Sequence, residues 1–279
     1  MESLKKVFHY FLFGNFFIAL VATVMAESCY SFFNFPSNPL ILLFLFFGTL
    51  CSYSLHWFLS GETLVGKERE AWNLSHKNFL LVVFGVSTLA SLLLFFLLEP
   101  ETQALSLVLA LATFLYTAPK LPFQPFVFLR RLAFGKTIYL AVVWTITTVL
   151  LPLSEWDMLQ SPYSWMFVIH RLLLILPICV LFDSKDKESD QQQGIKNIVY
   201  SLTWKETQWI IITCIFLYIL SSYWLVFDDF NLRLFLQLAL PGVGLAILLP
   251  LHEKKPSDYY YYLWLDGLMM GSGIFMLLF

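Results

Sequence analysis

Residues 165–196 read WMFVIHRLLLILPICVLFDSKDKESDQQQGIK, an apolar run that passes directly into an acidic segment. The apolar part is long enough to cross the hydrocarbon core of a bilayer. The acidic part holds Asp183, Asp186 and Asp190, which on a helix fall at about 0°, 300° and 340° and so share one face. Carboxylates placed in this way repel one another, and a bound cation would relieve the repulsion. A solvated loop between two membrane helices explains the same spacing.

Apolar character extends over the whole chain of 279 residues, of which 59% are hydrophobic and 13% charged. A soluble domain carries far more charge, so we predict an all-α, polytopic membrane bundle that forms a single domain over residues 1–279. The four cysteines have no paired spacing and indicate neither a disulfide framework nor a zinc site. Runs long enough to span a bilayer predict nine transmembrane helices, at 7–26, 39–59, 79–98, 102–118, 133–153, 165–182, 207–226, 231–250 and 259–279.

Basic residues fall in alternate loops, as the positive-inside rule requires of a correctly counted set of spans. The N-terminal segment and the loops that follow spans two, four, six and eight carry the Lys and Arg, whereas the opposite loops carry acidic residues only. Arg171, inside span six, and Arg233, at the start of span eight, depart from the pattern. We therefore predict a cytoplasmic N-terminus and an external C-terminus. The long loops, and any site built from them, would face the cytoplasm.

A cationic set follows span four and consists of Lys120, Arg130, Arg131 and Lys136. These residues could clamp a diphosphate, with each Arg in fork geometry and each Lys as a point charge. They could equally serve as topology determinants that bind anionic lipid head groups. The sequence leaves both interpretations open.

Three further features also have two interpretations each. The segment 60–78 mixes both signs of charge around Trp72, which suits an interfacial amphipathic helix or a solvated linker. Arg171 and Asp266 lie at membrane depth, where a charge normally has a partner, and they predict either a structural ion pair or a substrate contact. The aromatic run 259–264 resembles an interfacial belt, although aromatic side chains could also line a pocket for a prenyl tail.

Taken together, these features resemble the UbiA superfamily of intramembrane prenyltransferases. The second aspartate motif of that family reads approximately D-x-x-D-x-x-x-D-x-x-x-G-x-x-[ST]. Asp183, Asp186, Asp190 and Gly194 match it, and Asn197 stands where Ser or Thr is usual. Tyr116-Thr-Ala-Pro-Lys120 is similar to the signature that ends the fourth helix of the family. The stretch 131–152 looks like its fifth helix, and the likeness covers essentially the whole chain.

The first aspartate motif of the family is missing. The resemblance places it at the end of span two, where this chain reads CSYSLHWFLSG over residues 51–61. No aspartate occurs in the first 152 residues. His56 and Glu62 are the potential ligands nearby, and His56 is equally well explained as a structural histidine at a helix end. Members of the superfamily hold the diphosphate with both motifs, so half of that machinery is absent.

The resemblance implies an intramembrane prenyltransferase with Mg²⁺ as its cofactor. Asp183, Asp186 and Asp190 would hold the metal as catalytic residues, and the implied substrate-binding residues are Lys120, Arg131, Lys136, His56 and Arg171. Its partners would be a prenyl diphosphate, a lipophilic and by family default aromatic acceptor, and membrane lipid, but no nucleic acid. The implied location is a bacterial inner membrane. A second hypothesis is a catalytically degenerate protein that binds a polyprenyl lipid or a protein partner.

Overall fold

The computed structural model describes residues 2–60, 68–120, 136–154, 161–192, 198–254 and 256–278. Within these ranges the chain is helical, with short 3₁₀ and π turns and no strand, which confirms the predicted all-α class. The helices are α1 (Glu2–Phe13), α2 (Phe16–Phe33), α3 (Pro39–Phe58), α4 (Glu68–Ser75), α5 (Lys77–Phe95), α6 (Pro100–Thr117), α7 (Lys136–Leu153), α8 (Pro162–Gln192), α9 (Trp204–Trp224), α10 (Leu232–Leu248), α11 (Tyr260–Met269) and α12 (Gly271–Leu278).

Polar capping residues mark the starts of the long helices. The side chain of Asn38 accepts a hydrogen bond of 2.9 Å from the amide of Leu40 at the start of α3, and Pro39 occupies the first helical turn. Thr203 and Glu206 form a capping box at the start of α9. These caps satisfy amides that have no partner within the helix. They therefore fix where two of the predicted spans begin.

Fewer helices qualify as membrane spans than the predicted nine. Seven helices (α2, α3, α5, α7, α8, α9 and α10 with its 3₁₀ extension) are long and apolar enough, and the pair α11–α12, bent by 54°, makes up to eight. The remaining predicted span, 102–118, corresponds to α6, which does not qualify among the described residues. Its first turn carries Glu101 and Gln103, whose polar side chains reduce its apolar length. The count of nine is thus not confirmed.

The first predicted span, 7–26, is wrong in its bounds because the chain breaks into α1 and α2 at Asn15. The backbone of Asn15 lies in the left-handed region at φ 71°, which asparagine tolerates better than most residues. Asn15 is fully buried, and its side-chain amide donates to Ser54 Oγ on α3 at 3.3 Å. A tertiary contact therefore holds the break, and apolar periodicity does not reveal it.

Helices α2 and α8 form the centre of the bundle. α8 packs against α7 and α9, while α2 packs against α3 and α12. Side chains between them, such as Met25, Leu174 and Tyr218, are almost completely buried. In contrast, α5 and α6 expose large apolar side chains, Val86 and Leu111 among them. That exposure suits helices with one side against lipid.

Helix α8 continues past the apolar run and carries the acidic segment with it. Its 31 residues run without a break through Pro177 to Gln192. Asp183, Asp186 and Asp190 lie in its last turns, so the backbone of these three residues is helical and does not form the solvated loop predicted as an alternative. The helical placement of the three aspartates is thereby confirmed for the backbone.

Candidate functional site

The aspartates lie at one end of the bundle, which we call the aspartate end. It comprises the last turn of α3 with His56, the helix α4, the 3₁₀ turn Ala118–Lys120, the first turn of α7 and the last turns of α8. All five segments take part in the side-chain contacts described next. Their chemistry divides into an acidic side on α8 and a basic side opposite it.

Asp183 and Asp186 form the acidic side. Asp183 is 9% exposed, and its Oδ2 accepts a hydrogen bond from the hydroxyl of Thr137 in the first turn of α7. Asp186 lies about one helical turn further along α8 and is half-buried. The bond to Thr137 orients the Asp183 carboxylate against α7. The side chain of Asp190 lies outside the described residues.

Lys120 is the centre of the basic side. Its Nζ lies 2.7 Å from His56 Nε2 and 2.5 Å from Ser60 Oγ, and it is 5.7 Å from the centroid of the Trp57 ring. His56 also stacks on Tyr116, with 5.5 Å between the ring centroids. Both partners of Lys120 belong to the end of α3. The resemblance places the first aspartate motif there, but an ammonium group occupies the position.

Burial changes the acidity of this ammonium group. Removal from water, with a second contribution from the positive charge of Lys136, lowers the pKa of Lys120 to about 7. Asp186 and Glu70 act in the opposite direction. Both charge states of Lys120 are therefore accessible near neutral pH, and an anion bound beside it would favour the charged state.

Lys136 joins the basic side to the acidic side. Its Nζ lies 5.6 Å from the centroid of the Tyr116 ring. Tyr116 in turn lies within electrostatic range of Asp183 and Asp186, and Asp186 lies within electrostatic range of Lys120. The predicted residues His56, Lys120, Lys136, Asp183 and Asp186 are thus brought together at one end of the bundle.

Arg69 is a second cation of the basic side, and the sequence analysis did not assign it to the site. Its side chain is 3% exposed and lies between two aromatic rings, 4.3 Å from the centroid of Trp57 and 4.0 Å from that of Tyr262. Its Nη2 donates to Asn15 Oδ1 at 2.6 Å. Its Nε is buried and has no hydrogen-bond partner in the part of the chain that the structure describes. Arg69 therefore retains an unused donor in the interior.

Asp258 ties three helices together beside Arg69. Its Oδ2 accepts the backbone amide of Arg69 at 2.8 Å, and its Oδ1 pairs with Lys185 Nζ at 2.6 Å. Burial raises the pKa of Asp258, but Lys185 and the amide of Arg69 outweigh it and hold the pKa below its usual value. This contact fastens the start of α4 to the acidic segment of α8.

The tyrosines of the run 259–264 point inward and do not form the predicted interfacial belt. Tyr260, Tyr261 and Tyr262 are 4%, 3% and 8% exposed, whereas Trp264 is 60% exposed. The hydroxyl of Tyr262 accepts from Lys185 Nζ at 3.3 Å. The phenol rings therefore pack around the buried cations, and aromatic faces attract cations.

Arg171 lies away from the aspartate end and does not form the predicted ion pair with Asp266. Its Nη2 donates to the carbonyl of Met25 at 3.1 Å and to Ser28 Oγ at 2.7 Å. Its guanidinium carbon lies 5.1 Å from the centroid of the Phe167 ring. The ion-pair prediction was wrong because the guanidinium of Arg171 donates its hydrogen bonds to oxygens on α2 and not to a carboxylate.

The acidic side fits a divalent cation, and the end of α3 does not. Asp183 and Asp186 supply carboxylate oxygens on one helix, the ligand type that Mg²⁺ prefers. Among the described residues no group of three His, Cys, Asp or Glu side chains is close enough to hold a metal ion. His56 faces the ammonium of Lys120 and Thr117 Oγ1, at 2.7 and 3.5 Å. A cation bound there would meet a positive charge.

Two predicted contributors, Arg131 and Glu62, lie outside the described residues together with Arg130. Arg69 and Asp258 are the functional candidates that the sequence analysis missed. One signal pointed to Arg69, since the mixed-charge segment around Trp72 forms the helix α4 and buries Arg69 and Asn73 on one side. No pattern in the sequence linked Asp258 to the site.

Comparison with known proteins bears on the family and the fold. The family described as "UbiA prenyltransferase family" matches residues 73–265. No curated protein matches the chain. Among solved structures, a UbiA homolog from Aeropyrum pernix K1 in its apo form has a TM-score of 0.66 at 12% identity, covering 92% of this chain and 96% of that one.

A second solved structure is similar in fold. A UbiA homolog from Archaeoglobus fulgidus bound to Cd²⁺ has a TM-score of 0.58 at 12% identity, with 95% of this chain and 97% of that chain covered. At these identities the structural likeness establishes the fold alone. Family membership rests on the match over residues 73–265, which is more than half of the chain.

Proposed function

Because the chain belongs to the UbiA prenyltransferase family, we propose that it transfers a prenyl group from a prenyl diphosphate to a lipophilic acceptor, with an aromatic ring as one acceptor class. The observation that carries the proposal is the meeting of Asp183 and Asp186 with Lys120 and Lys136 at one end of an apolar bundle. That combination suits a substrate with an anionic head and an apolar tail.

The acidic and the basic residues would have different roles in this reaction. Asp183, Asp186 and, by the motif, Asp190 would hold Mg²⁺, which when bound supplies Lewis-acid stabilisation of the negative charge on the leaving diphosphate. Lys120 and Lys136 would stabilise the same charge from the other side, with Arg131 and His56 as further proposed contacts to the head. The prenyl C–O bond breaks, the diphosphate leaves with the electron pair, and the acceptor bonds to the prenyl carbon and loses a proton.

Thr137 and Tyr116 position these groups. The hydroxyl of Thr137 holds the Asp183 carboxylate, and Tyr116 packs between His56 and Lys136. The buried surroundings strengthen each electrostatic interaction, because the local dielectric constant is low. Arg171 binds carbonyl and hydroxyl oxygens of α2 instead, so we do not include it among the proposed substrate contacts.

The test uses purified protein in lipid nanodiscs, labelled prenyl diphosphates of several chain lengths, Mg²⁺ and an extract of membrane quinone precursors. We expect diphosphate release, and at least a hundredfold loss of rate in Asp186→Asn. Asp229→Asn is the matched control, because Asp229 is an exposed aspartate beyond the other end of α9. Absence of turnover with every chain length and acceptor would refute the transferase.

A second candidate function has one observation in its favour. The end of α3 carries His56 and Ser60 in place of the first aspartate motif, which suits a protein that binds a polyprenyl lipid without transferring it. Saturable binding of a prenyl diphosphate with no release of diphosphate would favour this candidate. Binding that also weakens in Asp186→Asn would assign it to the aspartate end.

A further inference from the structure

The groups at the end of α3 determine how the negative charge of a bound diphosphate head would be balanced on that side. A diphosphate head carries several negative charges, and two metal ions held by two carboxylate motifs would balance them. The chain has no aspartate before residue 157, so the aspartate motif for a second metal is missing on that side, and Glu70, a carboxylate that is present, lies within electrostatic range of Lys120. Lys120 Nζ lies among His56 and Ser60 instead.

Arg69 supplies a second positive charge to the same place. Arg69 and Lys120 lie against the same indole ring, 4.3 Å and 5.7 Å from the centroid of Trp57. Among the described residues the Arg69 guanidinium makes no direct ion pair with a carboxylate, and its Nη2 donates to the amide oxygen of Asn15. Asp266 and Asp258 lie within electrostatic range and offset part of its charge. An anion bound beside the Trp57 ring would meet the positive charge of Arg69 as well as that of Lys120.

Two buried residues of α4, Arg69 and Asn73, carry polar atoms that make no hydrogen bond among the described residues. Among the described residues, Arg69 Nε and both amide atoms of Asn73 are buried without a hydrogen-bond partner, and Asn73 is 4% exposed. Residues four apart on a helix share a face. A buried polar group without a partner costs about 1–3 kcal/mol, and most such groups in folded proteins are satisfied. These atoms therefore indicate a polar ligand.

We propose that Arg69 and Lys120 bind the anionic head of the substrate directly, in place of a second carboxylate-held metal ion, and that Asn73 contacts the same head. The site then needs one metal ion, on the side of Asp183 and Asp186. The inference deepens the proposed function and rests on it for the identity of the head as a diphosphate. The inference predicts that the head remains bound, but more weakly, when divalent metal is removed.

The experiment measures binding of ³²P-labelled inorganic pyrophosphate to the full-length protein in nanodiscs, with Mg²⁺ and with excess EDTA. We expect EDTA to weaken binding about tenfold without abolishing it. Lys120→Gln should remove the EDTA-resistant binding, whereas Asp186→Asn should remove only the gain from Mg²⁺. Lys205→Gln, at an exposed lysine on α9, is the control and should behave as wild type.

Arg69→Gln should lose the EDTA-resistant binding and Arg69→Lys should retain part of it. Because Arg69 is buried, the unfolding transition of each variant is first compared with that of the wild type. If Arg69→Gln does not fold, Lys120→Gln alone tests the inference. The number of metal ions is counted with Mn²⁺ by electron paramagnetic resonance in the presence of pyrophosphate. We expect one Mn²⁺ per chain.

Three results would overturn the inference: two Mn²⁺ per chain, complete loss of wild-type binding in EDTA, or undiminished EDTA-resistant binding in Lys120→Gln. These outcomes are separate from failure of the proposed function. A protein that turns over prenyl diphosphates but binds two Mn²⁺ refutes the inference alone. A protein that binds pyrophosphate in EDTA but never releases it from a prenyl chain refutes the transferase alone.

Discussion

Lys120 is a buried amine whose charge state depends on solution pH within the physiological range. Its folded-state pKa of about 7 lies below the ordinary value of 10.5 for lysine. Between these two values the unfolded chain binds more protons than the folded protein, so the free energy of unfolding rises with pH across that window. Below about pH 7 both states are protonated, and the cost of burying the charge is present in full.

Replacement of Lys120 by methionine should remove this dependence. We expect the free energy of unfolding of the wild type, relative to Lys120→Met, to rise by up to about 1.4 kcal/mol per pH unit between pH 7 and pH 10. The measurement is denaturant unfolding in mixed micelles at several pH values. Parallel stability curves for the two proteins would show that the amine keeps its ordinary pKa.

Arg69 illustrates what a sequence pattern conceals at the level of one residue. The sequence identified Asp183, Asp186, Lys120 and Lys136 because motif spacing and loop charge are local properties. Arg69 stood within a segment of mixed charge, where an exposed salt bridge is the ordinary expectation. Its role arises from Trp57 and Tyr262, which belong to other helices, and Tyr262 is far from Arg69 in sequence.

The contacts of Asp258 hold three helices together, because they join α4 and α8 to the start of α11. Removing one partner of a buried ion pair leaves an uncompensated charge and costs about 3–5 kcal/mol. We therefore expect Asp258→Ala to lower the free energy of unfolding by about 3 kcal/mol. Asp229→Ala, at an exposed aspartate, should change it by less than about 0.5 kcal/mol.

A double-mutant cycle separates the pair from the backbone contact. If Lys185 is the main partner, Asp258→Ala in a Lys185→Ala background should cost much less than in the wild type. Equal costs in the two backgrounds would assign the effect to the amide of Arg69. Unfolding by a denaturing detergent in micelles gives both values.

Close approach of α12 to α2 depends on Gly273. A Cβ at Gly273 would lie 2.6 Å from the carbonyl oxygen of Val24, whereas a Cβ at Gly48 on α3 would meet nothing within 4 Å. Gly273→Ala should therefore destabilise the protein by about 1–3 kcal/mol, as overpacking does. Gly48→Ala should be neutral or stabilising by up to about 1 kcal/mol, because alanine is the better helix former. Thermal unfolding that ranks the two variants the other way would contradict this packing.

Element bounds were predicted well where one signal decided them. Apolar length located α3 and α9, whereas the acidic segment was left open between a helix face and a solvated loop, and the structure shows the helix. Prediction failed where a tertiary contact decides the local conformation. Asn15 breaks the first predicted span because its side chain is held by Ser54 and Arg69, and neither contact is visible from local periodicity.

At the scale of the whole molecule, the distribution of basic residues predicts that the aspartate end faces the cytoplasm. We expect Lys205→Cys, at the start of α9, to be labelled by a membrane-impermeant maleimide only in inside-out vesicles. Asp229→Cys, just past the end of the same helix, should be labelled only in right-side-out vesicles. Both positions are exposed, and a variant without the four native cysteines supplies the background. The reverse pattern would invert the topology.

The length of α8 has a consequence for where the substrate head lies in the membrane. Thirty-one residues extend about 46 Å at 1.5 Å per residue, whereas the hydrocarbon core is about 30 Å thick. Its last ten or so residues, about 15 Å, therefore rise through the layer in which phospholipids carry their own phosphates. On the proposed function, Asp183 would lie at the inner edge of that layer, so that a prenyl tail could remain in hydrocarbon while the head is bound. Anionic phospholipids of the surrounding leaflet are then constant competitors for Arg69, Lys120 and Lys136, so leaflet composition should regulate how readily the protein takes its substrate.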